Sequence, residues 1–497
     1  MEVLPPLIYS TAAIRAADRR AIEVLGLPGY TLMTRAGEAA LGALRGQWPL
    51  ARRLLVLCGP GNNGGDGYVV ARYARVSGLD VVVSAPAGIP VRGDAARAAD
   101  DWRAAGGSVL PWTAALLERA DLVVDALLGT GLDRPVAHGL ADVIRAVNTA
   151  VRPVVALDLP SGLDGDRGVV MGAAIRATLT VTFISLKPGF FLAAGPEHVG
   201  RLVCDTLDLS PEAFDGAQPV LQRITEKDLR ALLPRRSRTA HKGVNGRVLL
   251  IGGGPGMPGA IRLAAEAALR SGAGLVTVGT WPAHAAAIAS IRPEIIAVGV
   301  EQAADLAPAI AAADIVAIGP GLGQSPWARA LLDAAIASGT PLVVDADALN
   351  LLATAPRRCD HWCLTPHPGE AGRLLERDSE AIQGDRLASV RALAERFGGV
   401  AVLKGAGTLI ANGREAPWVC ERGNPGMAAA GMGDVLTGVI AGIAAQQADH
   451  GGSLARAAAV GVLVHATAGD LAARGGERGI LASDLIAYLP ACVNPSN

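Results

Sequence analysis

The chain has 497 residues, of which 51% are hydrophobic and 18% charged, and its formal net charge at pH 7 is −1. A chain of this length is too long for one ordinary core, so we expect a folded protein of two or three domains. The near-zero charge gives no support for nucleic acid or a membrane surface as partner, and we find no run approaching the roughly 18 apolar residues of a membrane span.

Two features predict a cytoplasmic protein. The start, Met-Glu-Val-Leu-Pro-Pro, lacks the basic segment and apolar core of a signal peptide. The six cysteines are scattered without a disulfide framework, which fits a reducing compartment. Cys359-Asp-His-Trp-Cys363 has no second half that would complete a metal site, so we interpret it as structural.

Lysine is rare in this chain. Only four of the 45 basic residues are lysines, namely Lys187, Lys227, Lys242 and Lys404. Three of them stand beside glycine loops, whereas Lys227 lies in a polar helix start. Where arginine is the usual cation, a lysine indicates a place that needs a compact, flexible ammonium.

The first half of the chain alternates strands with helices. Residues 10–46 predict two helices, the first with Ser10 as N-cap. Continuous apolar strands then recur between Ala-rich helical segments, which is typical of a parallel sheet covered on both faces. We therefore expect an α/β domain with a Rossmann-like, three-layer αβα architecture. Its strands are predicted at residues 53–58, 80–84, 121–125, 153–157, 178–183 and 201–204.

The pattern lapses between about residues 205 and 245, where the sequence is polar and contains proline. We place the boundary near residues 215–222 and expect domains 1–215 and 216–497. The second domain is again α/β, and its tail from residue 434 is mainly helical. Its strands are predicted at residues 247–251, 274–278, 295–298, 314–318, 341–344, 362–364, 400–403 and 408–410.

The loop Gly59-Pro-Gly-Asn-Asn-Gly-Gly-Asp-Gly67 follows the first long strand, and a helical pattern begins at Tyr68. A ligand would meet the carboxyl edge of a parallel sheet here. The loop is not the dinucleotide fingerprint, because two asparagines and Asp66 stand where small residues would admit a pyrophosphate. Its amides suit a sugar, an amide or a hard cation. The alternative is an ordinary turn between strand and helix, whose polar residues bind no ligand.

Two further strands of the same domain end on carboxylates. Asp125 precedes Ala-Leu-Leu-Gly129-Thr-Gly-Leu-Asp-Arg-Pro135, and Asp158 precedes Leu-Pro-Ser161. A single aspartate at a strand end is often structural. Two of them beside an Asn-Asn-Gly-Gly-Asp loop favour a site, because these strand ends converge on one sheet edge.

In the second domain, Gly423-Asn-Pro-Gly-Met-Ala-Ala-Ala-Gly-Met-Gly-Asp434 leads into an apolar helical run. Its bare glycine backbone and helix N-terminus suit anionic oxygens, and Asp434 adds one acid/base group. The alternative is an aspartate that merely caps a helix.

Three more loops end strands of this domain. Lys404-Gly-Ala-Gly-Thr408 offers N–H groups, an ammonium and a hydroxyl to phosphate oxygens, although it is not a Walker loop, since its lysine precedes the glycines. Gly319-Pro-Gly-Leu-Gly323 is a bare turn. His367, between prolines and three residues before Glu370, is either functional or part of a rigid turn. Together these loops predict a site that handles phosphate.

These residues resemble a known family, the bifunctional NAD(P)H-hydrate repair enzymes. In that family an epimerase domain is fused to an ADP-dependent dehydratase of ribokinase-like α/β fold. The resemblance covers nearly the whole chain, and it rests on Asn62-Asn-Gly-Gly-Asp66 and the Asp434 stretch occurring in this order. Met427-Ala-Ala-Ala-Gly-Met-Gly departs from family versions that carry hydroxyl residues there.

The resemblance implies site residues for both domains. Asp158 and Asp434 would be catalytic, and Asn63, Asp125 and Ser161 would ligate K⁺. Lys187 matches a Lys-Pro-Gly element of the epimerase. ADP would bind at Lys404, Gly405, Ala406, Gly407, Thr408 and Gly433. The hydrate would contact Asn62, Asn63, Gly64, Gly65, Asp66, Gly129, Thr130, Gly131, Leu132, Asp133, Arg134, Pro135 and Asp158 in the first domain, and Ala260, Gly323, His367 and Asp434 in the second, with Gly321 as the alternative to Gly323.

By this resemblance the first domain interconverts R- and S-NAD(P)HX, and the second dehydrates the S form while ADP becomes AMP and phosphate. Mg²⁺ would assist the second reaction. The partners would be these small molecules only, and we expect a homo-oligomer. The alternatives are a ribokinase-like kinase of a small alcohol with an N-terminal nucleotide-binding module, a first domain that only binds ligand, and a nicotinamide-dependent oxidoreductase.

Overall fold

The computed structural model describes residues 4–447 and 453–494. The chain separates into two compact units, Met1–Leu221 and Gln222–Asn497. Each unit contains a β-sheet with helices packed against it, as the α/β prediction requires.

The strands of the first unit include every one predicted from the sequence, together with two short strands that the sequence did not reveal. They are β1 (Leu7–Ile8), β2 (Arg53–Cys58), β3 (Asp80–Ser84), β4 (Val109–Leu110), β5 (Leu122–Ala126), β6 (Val154–Leu157), β7 (Leu179–Phe183) and β8 (Arg201–Asp205). Its helices are α1 (Thr11–Glu23), α2 (Gly29–Gln47), α3 (Asn62–Val76), α4 (Gly93–Ala104), α5 (Ala115–Arg119), α6 (His138–Thr149) and α7 (Gly195–His198).

Strands β2 to β8 form one parallel sheet in the order β4-β3-β2-β5-β6-β7-β8. Alternate residues of β2 belong to two different hydrophobic cores, one on each face of the sheet. Leu54 and Val56 pack with α2, α3 and α4, whereas Leu55 and Leu57 pack with α5 and α6. The sheet is therefore covered on both faces, and the three-layer αβα prediction is confirmed.

The second unit has a larger, mixed sheet. Its strands are β9 (Leu221–Arg223), β10 (Arg247–Ile251), β11 (Leu275–Thr280), β12 (Ile295–Gly299), β13 (Ile315–Ile318), β14 (Leu342–Val344), β15 (Trp362–Leu364), β16 (Val400–Leu403), β17 (Thr408–Ala411) and β18 (Trp418–Cys420). Their order is β9-β18-β17-β16-β15-β14-β13-β10-β11-β12, with β17 antiparallel to both of its neighbours. The sequence did not reveal β9 and β18, which have three residues each.

The helices of the second unit cover this sheet. They are α8 (Glu226–Leu232), α9 (Pro258–Arg270), α10 (Pro282–Ile291), α11 (Ala307–Ala312), α12 (Pro326–Ala337), α13 (Ala346–Thr354), α14 (Pro368–Leu375), α15 (Ser379–Gly384), α16 (Arg386–Phe397), α17 (Met432–Ala445), α18 (Leu454–Ala472) and α19 (Ala482–Cys492).

Helix α17 is held very close to α9. A side chain on Gly438 or Gly442 would overlap the backbone of Ala264 or Ala268 in α9. These glycines allow the two helix backbones to approach, and the approach fixes where the first turn of α17 lies.

One helical stretch, Leu454–Gly475, is long and apolar enough to cross a membrane by length and composition alone. The sequence analysis did not expect such a segment. However, 72% of its most apolar window is buried inside the protein. Residues such as Val460, Val462 and Val464 belong to the hydrophobic core of the second unit, so the apolar character of this helix is explained by packing.

Candidate functional site

The glycine loop of the first unit is more helical than its sequence predicts. Helix α3 begins at Asn62 rather than at Tyr68. A side chain at Gly64 would overlap the carbonyl of Gly59, and one at Gly65 would lie 2.6 Å from Met33. These two glycines are required for packing, which outweighs their low helix propensity. They lie against protein, whereas Asn62, Asn63 and Asp66 line a cavity of about 630 Å³.

This cavity brings together most of the predicted residues of the first unit. Its wall includes Asp158 and the loop from Gly129 to Arg134, whereas Pro135 lies beside Gly172. Helix α1 adds charged residues that the sequence analysis did not single out. The cavity is lined by Ile14, Arg15, Asp18, Arg19, Ile22, Gly29, Leu32, Met33, Ala36, Pro60, Gly61, Asn62, Asn63, Asp66, Asp94, Leu127, Leu128, Gly129, Thr130, Gly131, Leu132, Asp133, Arg134, Asp158, Phe183, Ile184 and Leu207.

Asp158 is bound by a fully buried lysine. Lys187 Nζ donates to Asp158 Oδ1 at 2.6 Å and to Thr182 Oγ1 at 2.7 Å. The Lys187 side chain is 0% exposed and that of Asp158 is 18% exposed. Asp158 has a left-handed backbone with φ +63°, which aspartate tolerates better than most residues. The pair therefore places a carboxyl group, held by a buried ammonium, at the cavity wall.

Asn63, Asp125 and Ser161 meet next to the cavity. Ser161 donates its hydroxyl to Asp125 Oδ1 at 2.6 Å and its backbone N–H to Asp125 Oδ2 at 2.8 Å. Burial raises the pKa of Asp125 to about 6, although these hydrogen bonds oppose the shift. Asn63 Nδ2 donates to Leu128 O at 2.8 Å, whereas Asn63 Oδ1 is buried without a hydrogen-bond partner.

In the second unit, Lys404 is surrounded by carboxylates. Its Nζ lies 2.8 Å from Asp345 Oδ1 and 3.7 Å from Glu370 Oε2. Burial opposes the charge on Lys404, but these two carboxylates outweigh it and raise its pKa. Thr437 of α17 donates to Asp345 Oδ2 at 2.7 Å. The ammonium is thus held at the sheet edge beside the first turn of α17.

Asp434 lies in that first turn of α17. The helix follows Gly431, which adopts a left-handed backbone with φ +86°. A side chain at Gly433 would lie 3.2 Å from Lys404 Nζ and 3.6 Å from Asp345 Oδ2, so this segment adjoins the lysine. Burial, followed by the charge of Asp345, raises the pKa of Asp434 to about 7. Asp434 therefore combines a helix N-terminus with a carboxyl group that exchanges protons near neutrality.

The remaining predicted residues of this unit lie on loops or, for Ala260, in the first turn of α9. His367 caps α14, its Nδ1 accepting from Gly369 N at 3.0 Å, and burial and Lys404 lower its pKa. A side chain at Gly321 would lie 3.2 Å from Ala260 Cβ, so the Gly319–Gly323 turn adjoins the start of α9. Gly323 N donates to Asp347 Oδ2 at 2.8 Å.

A buried arginine supports the loop Lys404–Thr408. Arg386 Nη2 lies 3.2 to 3.3 Å from the carbonyl oxygens of Leu403, Lys404 and Gly407, and its Nη1 donates to Gln383 Oε1 at 2.6 Å. Thr408 Oγ1 donates to Gly405 O at 2.9 Å, so its hydroxyl is used inside the turn.

Sequence reasoning missed Arg386, Asp345 and Asp18. Asp345 follows a predicted strand, and the rule that selected Asp125 and Asp158 would have found it. Arg386 and Asp18 lie in helices, without a local signal.

Comparisons with known proteins identify both halves of the chain. The family described as NAD(P)H-hydrate dehydratase matches residues 248–491, and the one described as YjeF-related protein N-terminus matches residues 29–189. A relative from Coxiella burnetii named bifunctional NAD(P)H-hydrate repair enzyme is 48% identical, over 98% of this chain and 100% of its own length.

The chain belongs to the family of bifunctional NAD(P)H-hydrate repair enzymes. Repair enzymes of the same name from Escherichia coli and Leishmania braziliensis are 44% and 39% identical, over 99% and 100% of this chain and 95% of each relative. A ribokinase-like superfamily protein from Enterococcus faecalis is 31% identical with a TM-score of 0.50, and it covers 55% of this chain and 95% of its own. The predicted family and the ribokinase-like fold of the second unit are therefore confirmed.

We predict that Arg386→Met destabilises the second unit by about 2–3 kcal/mol, because buried carbonyls lose a charged donor. Denaturant unfolding should show a lower midpoint. Arg396→Met is the matched control on the same helix, since its ion pair with Glu376 is at the surface and contributes at most about 1 kcal/mol. Equal effects of the two substitutions would contradict this role of Arg386.

Proposed function

We propose that the first unit interconverts R- and S-NAD(P)HX and that the second dehydrates S-NAD(P)HX, with ADP converted to AMP and phosphate. Family membership supports both activities. The observation that carries the second is Asp434 in the first turn of α17, next to Lys404. The observation that carries the first is the cavity in which Asp158 faces Asn62, Asn63 and Asp66.

In the epimerase site we assign the hydrate to the cavity and proton handling to Asp158. The Lys187 ammonium stabilises the carboxylate of Asp158, and an ionised carboxylate can accept a proton from substrate or water. The loop from Gly129 to Arg134 and the start of α3 would hold the nucleotide. The residues assigned here are those predicted from the sequence, with one difference. We assign Gly64, Gly65 and Pro135 to the packing of the loops and not to contact with the hydrate.

A potassium ion fits the residues assigned to it. Asn63 Oδ1 is buried and unpartnered, and Asp125 is a fully buried carboxylate whose ionised form is disfavoured by burial. Oxygen ligands of this kind suit a hard cation. We propose that Asn63, Asp125 and Ser161 hold K⁺ when it is bound. The positive charge of K⁺ would offset the free-energy cost of burying the ionised Asp125 carboxylate. It would thereby stabilise the strand ends beneath the cavity.

In the dehydratase site Asp434 would act as the general base. It would take the proton of the substrate hydroxyl as that oxygen attacks the β-phosphorus of ADP, and AMP would leave. The N–H groups at the start of α17 and Lys404 would stabilise the negative charge that develops. The new phosphate ester is a better leaving group than hydroxide, so the ring nitrogen would expel phosphate and, after loss of a ring proton, NAD(P)H would result.

ADP would bind against Lys404–Thr408 and Gly433, and the hydrate against His367, Asp434, Ala260 and the Gly319–Gly323 turn. Among residues 4–447 and 453–494, no group of three or more His, Cys, Asp or Glu side chains is placed to hold a metal ion. Mg²⁺ is usually bound by one or two carboxylates together with substrate phosphates and water, without a dedicated protein cage. We propose that Mg²⁺ enters with the nucleotide phosphates.

We also propose a cytoplasmic location. Five of the six cysteines, namely Cys58, Cys359, Cys363, Cys420 and Cys492, are buried and form no disulfide within the part of the chain that the structure describes. Such a set suits a reducing compartment.

We predict that one substitution in each unit separates the two activities. Asp434→Asn should abolish ADP-dependent recovery of NADH from S-NADHX and leave epimerisation intact, because the amide cannot accept the hydroxyl proton. Asp158→Ala should leave dehydration of the S form intact and leave R-NADHX unconverted beyond its spontaneous rate. NADH absorbance and chromatographic separation of the epimers measure both. Near wild-type dehydration by Asp434→Asn would refute the assignment, and a stable phosphorylated product would identify a kinase instead.

We predict that the rate of dehydration depends on the ionisation of Asp434. A base whose pKa is raised to about 7 is protonated below that pH, so kcat/KM should fall about tenfold per pH unit below pH 7 and level off above it. The profile is measured with saturating ADP. A flat profile from pH 5.5 to 8, with the protein still folded, would contradict Asp434 as base.

We predict that K⁺ stabilises the first unit. Potassium chloride should raise Tm relative to tetramethylammonium chloride at the same ionic strength, by an amount equivalent to about 2.7 kcal/mol at one hundred times Kd. The effect should weaken below pH 6, where Asp125 gains a proton in the folded state. Asp125→Asn should abolish it, whereas Asp142→Asn, an exposed control on α6, should retain it. An unchanged K⁺ effect in Asp125→Asn would exclude the site.

A further inference from the structure

The cavity of the first unit contains more carboxylates than the proposed function uses. Its acidic residues come from α1, α3, α4, the loop after β5 and the end of β6. Three arginines share the same wall. The charged groups that line it are Asp18, Asp66, Asp94, Asp133, Asp158, Arg15, Arg19 and Arg134.

Two of these carboxyl groups have opposite surroundings. Asp158 Oδ1 accepts a hydrogen bond from the Lys187 ammonium at 2.6 Å, and the backbone N–H of Phe183 and the Thr182 hydroxyl lie 3.4 Å from it. Asp158 is therefore held by donors on one side. Asp66 is partly buried, and the charges that influence it are those of two carboxylates, Asp158 and Asp18. Burial, followed by these two carboxylates, raises the pKa of Asp66 well above its ordinary value, so the protonated form of Asp66 is favoured.

Asp66 and Asp158 reach the cavity from different strands of the sheet. Asp66 lies in the first turns of α3, which follows β2, and Asp158 follows β6. In the sheet β5 lies between β2 and β6, so two strand spacings, about 9–10 Å, separate the strand ends from which the two segments start. Both residues line the same cavity of about 630 Å³, so the two carboxyl groups can act on one bound ring.

We propose that Asp66 and Asp158 form an acid–base pair that inverts the hydrate by removing its hydroxyl and adding water to the opposite face, and that Lys187 is the positioning residue that holds Asp158. The proposal rests on the proposed epimerase function and specifies its chemistry. It assigns to Asp66, which the sequence analysis treated as a binding residue, the role of general acid.

The inversion consists of the loss of one water molecule from the hydrate and the addition of another. Asp66 donates its proton to the hydroxyl oxygen while the carbon–oxygen bond breaks, and water leaves. The electron pair of the adjacent ring nitrogen forms a carbon–nitrogen double bond. A second water attacks the same carbon from the other face, returns that electron pair to nitrogen, and gives its proton to Asp158. Exchange of protons with solvent then restores protonated Asp66 and ionised Asp158.

The first test is isotopic. With the wild-type chain in water enriched in ¹⁸O, each enzyme-catalysed inversion should place one solvent oxygen in the hydrate, which mass spectrometry of the separated epimers measures. A sample without protein supplies the spontaneous background. Inversion with the original oxygen retained would overturn the mechanism.

The second test compares Asp66 with an aspartate outside the cavity. Asp66→Asn should lower kcat of epimerisation by about 100-fold or more with KM changed less than about threefold, since general acids contribute on this scale. Asp66→Glu should recover part of the loss. Asp142→Asn, an exposed substitution on α6, is the control and should leave kcat unchanged. A kcat for Asp66→Asn close to that for Asp142→Asn would overturn the assignment of the acid.

The third test separates positioning from simple support of the fold. Lys187→Met removes the ammonium that holds Asp158 Oδ1, so kcat of epimerisation should fall by about tenfold or more while KM changes less than about threefold. Lys187→Arg keeps a cationic donor and should recover part of the loss. Equal rates for Lys187→Met and Lys187→Arg, or a loss confined to KM, would overturn the role of Lys187.

Denaturant unfolding and circular dichroism of the same variants report whether the first unit is folded, and dehydration of S-NADHX reports whether the second unit is intact. An absence of any epimerisation by the wild-type chain would refute the proposed function itself. Epimerisation by the wild type that survives Asp66→Asn would refute only the acid–base pair.

Discussion

Both candidate sites depend on the same interaction, an ammonium held against a carboxylate at the end of a parallel strand. Lys187 contacts Asp158 after β6, and Lys404 contacts Asp345 after β14. An unpaired charge in either place would be expensive to bury, so each pair makes a charged group possible at the edge of an apolar sheet. These two ion pairs give a physical reason for lysine at these positions in a chain whose usual cation is arginine.

The two lysine–aspartate pairs have different roles. Lys187 is fully buried and leaves one carboxylate at a cavity wall, where it can accept a proton. Lys404 has Asp345 and Glu370 on its sides and the Gly433 backbone beside it, so its ammonium faces the place where phosphate charge would develop. The two aspartates that we propose as catalytic therefore have different surroundings: a lysine holds Asp158, while burial and Asp345 raise the pKa of Asp434 to about 7.

Glycine has a second role besides leaving backbone N–H groups free. Gly64, Gly65 and Gly438 lie where any side chain would collide with a neighbouring element. They let α3 and α17 pack so closely that the first turns of these helices reach the strand ends. A glycine-rich sequence before a helix can therefore signal close packing as much as ligand contact, and Gly64 and Gly65 illustrate the difference.

The sequence by itself determined the alternation of strands and helices, the two α/β units, the strand-end aspartates and the family, because apolar runs, glycine turns and motif order are local properties of the chain. It also predicted that Asp125, Asp158 and the Asn62–Asp66 loop converge, since parallel strands bring their carboxyl ends to one edge. Only the tertiary structure decided that Arg386 supports the Lys404 loop and that Asp18 and Asp66 face Asp158. These relations join residues on separate elements, and the protonation of a carboxyl group depends on burial and on charges that meet only after folding.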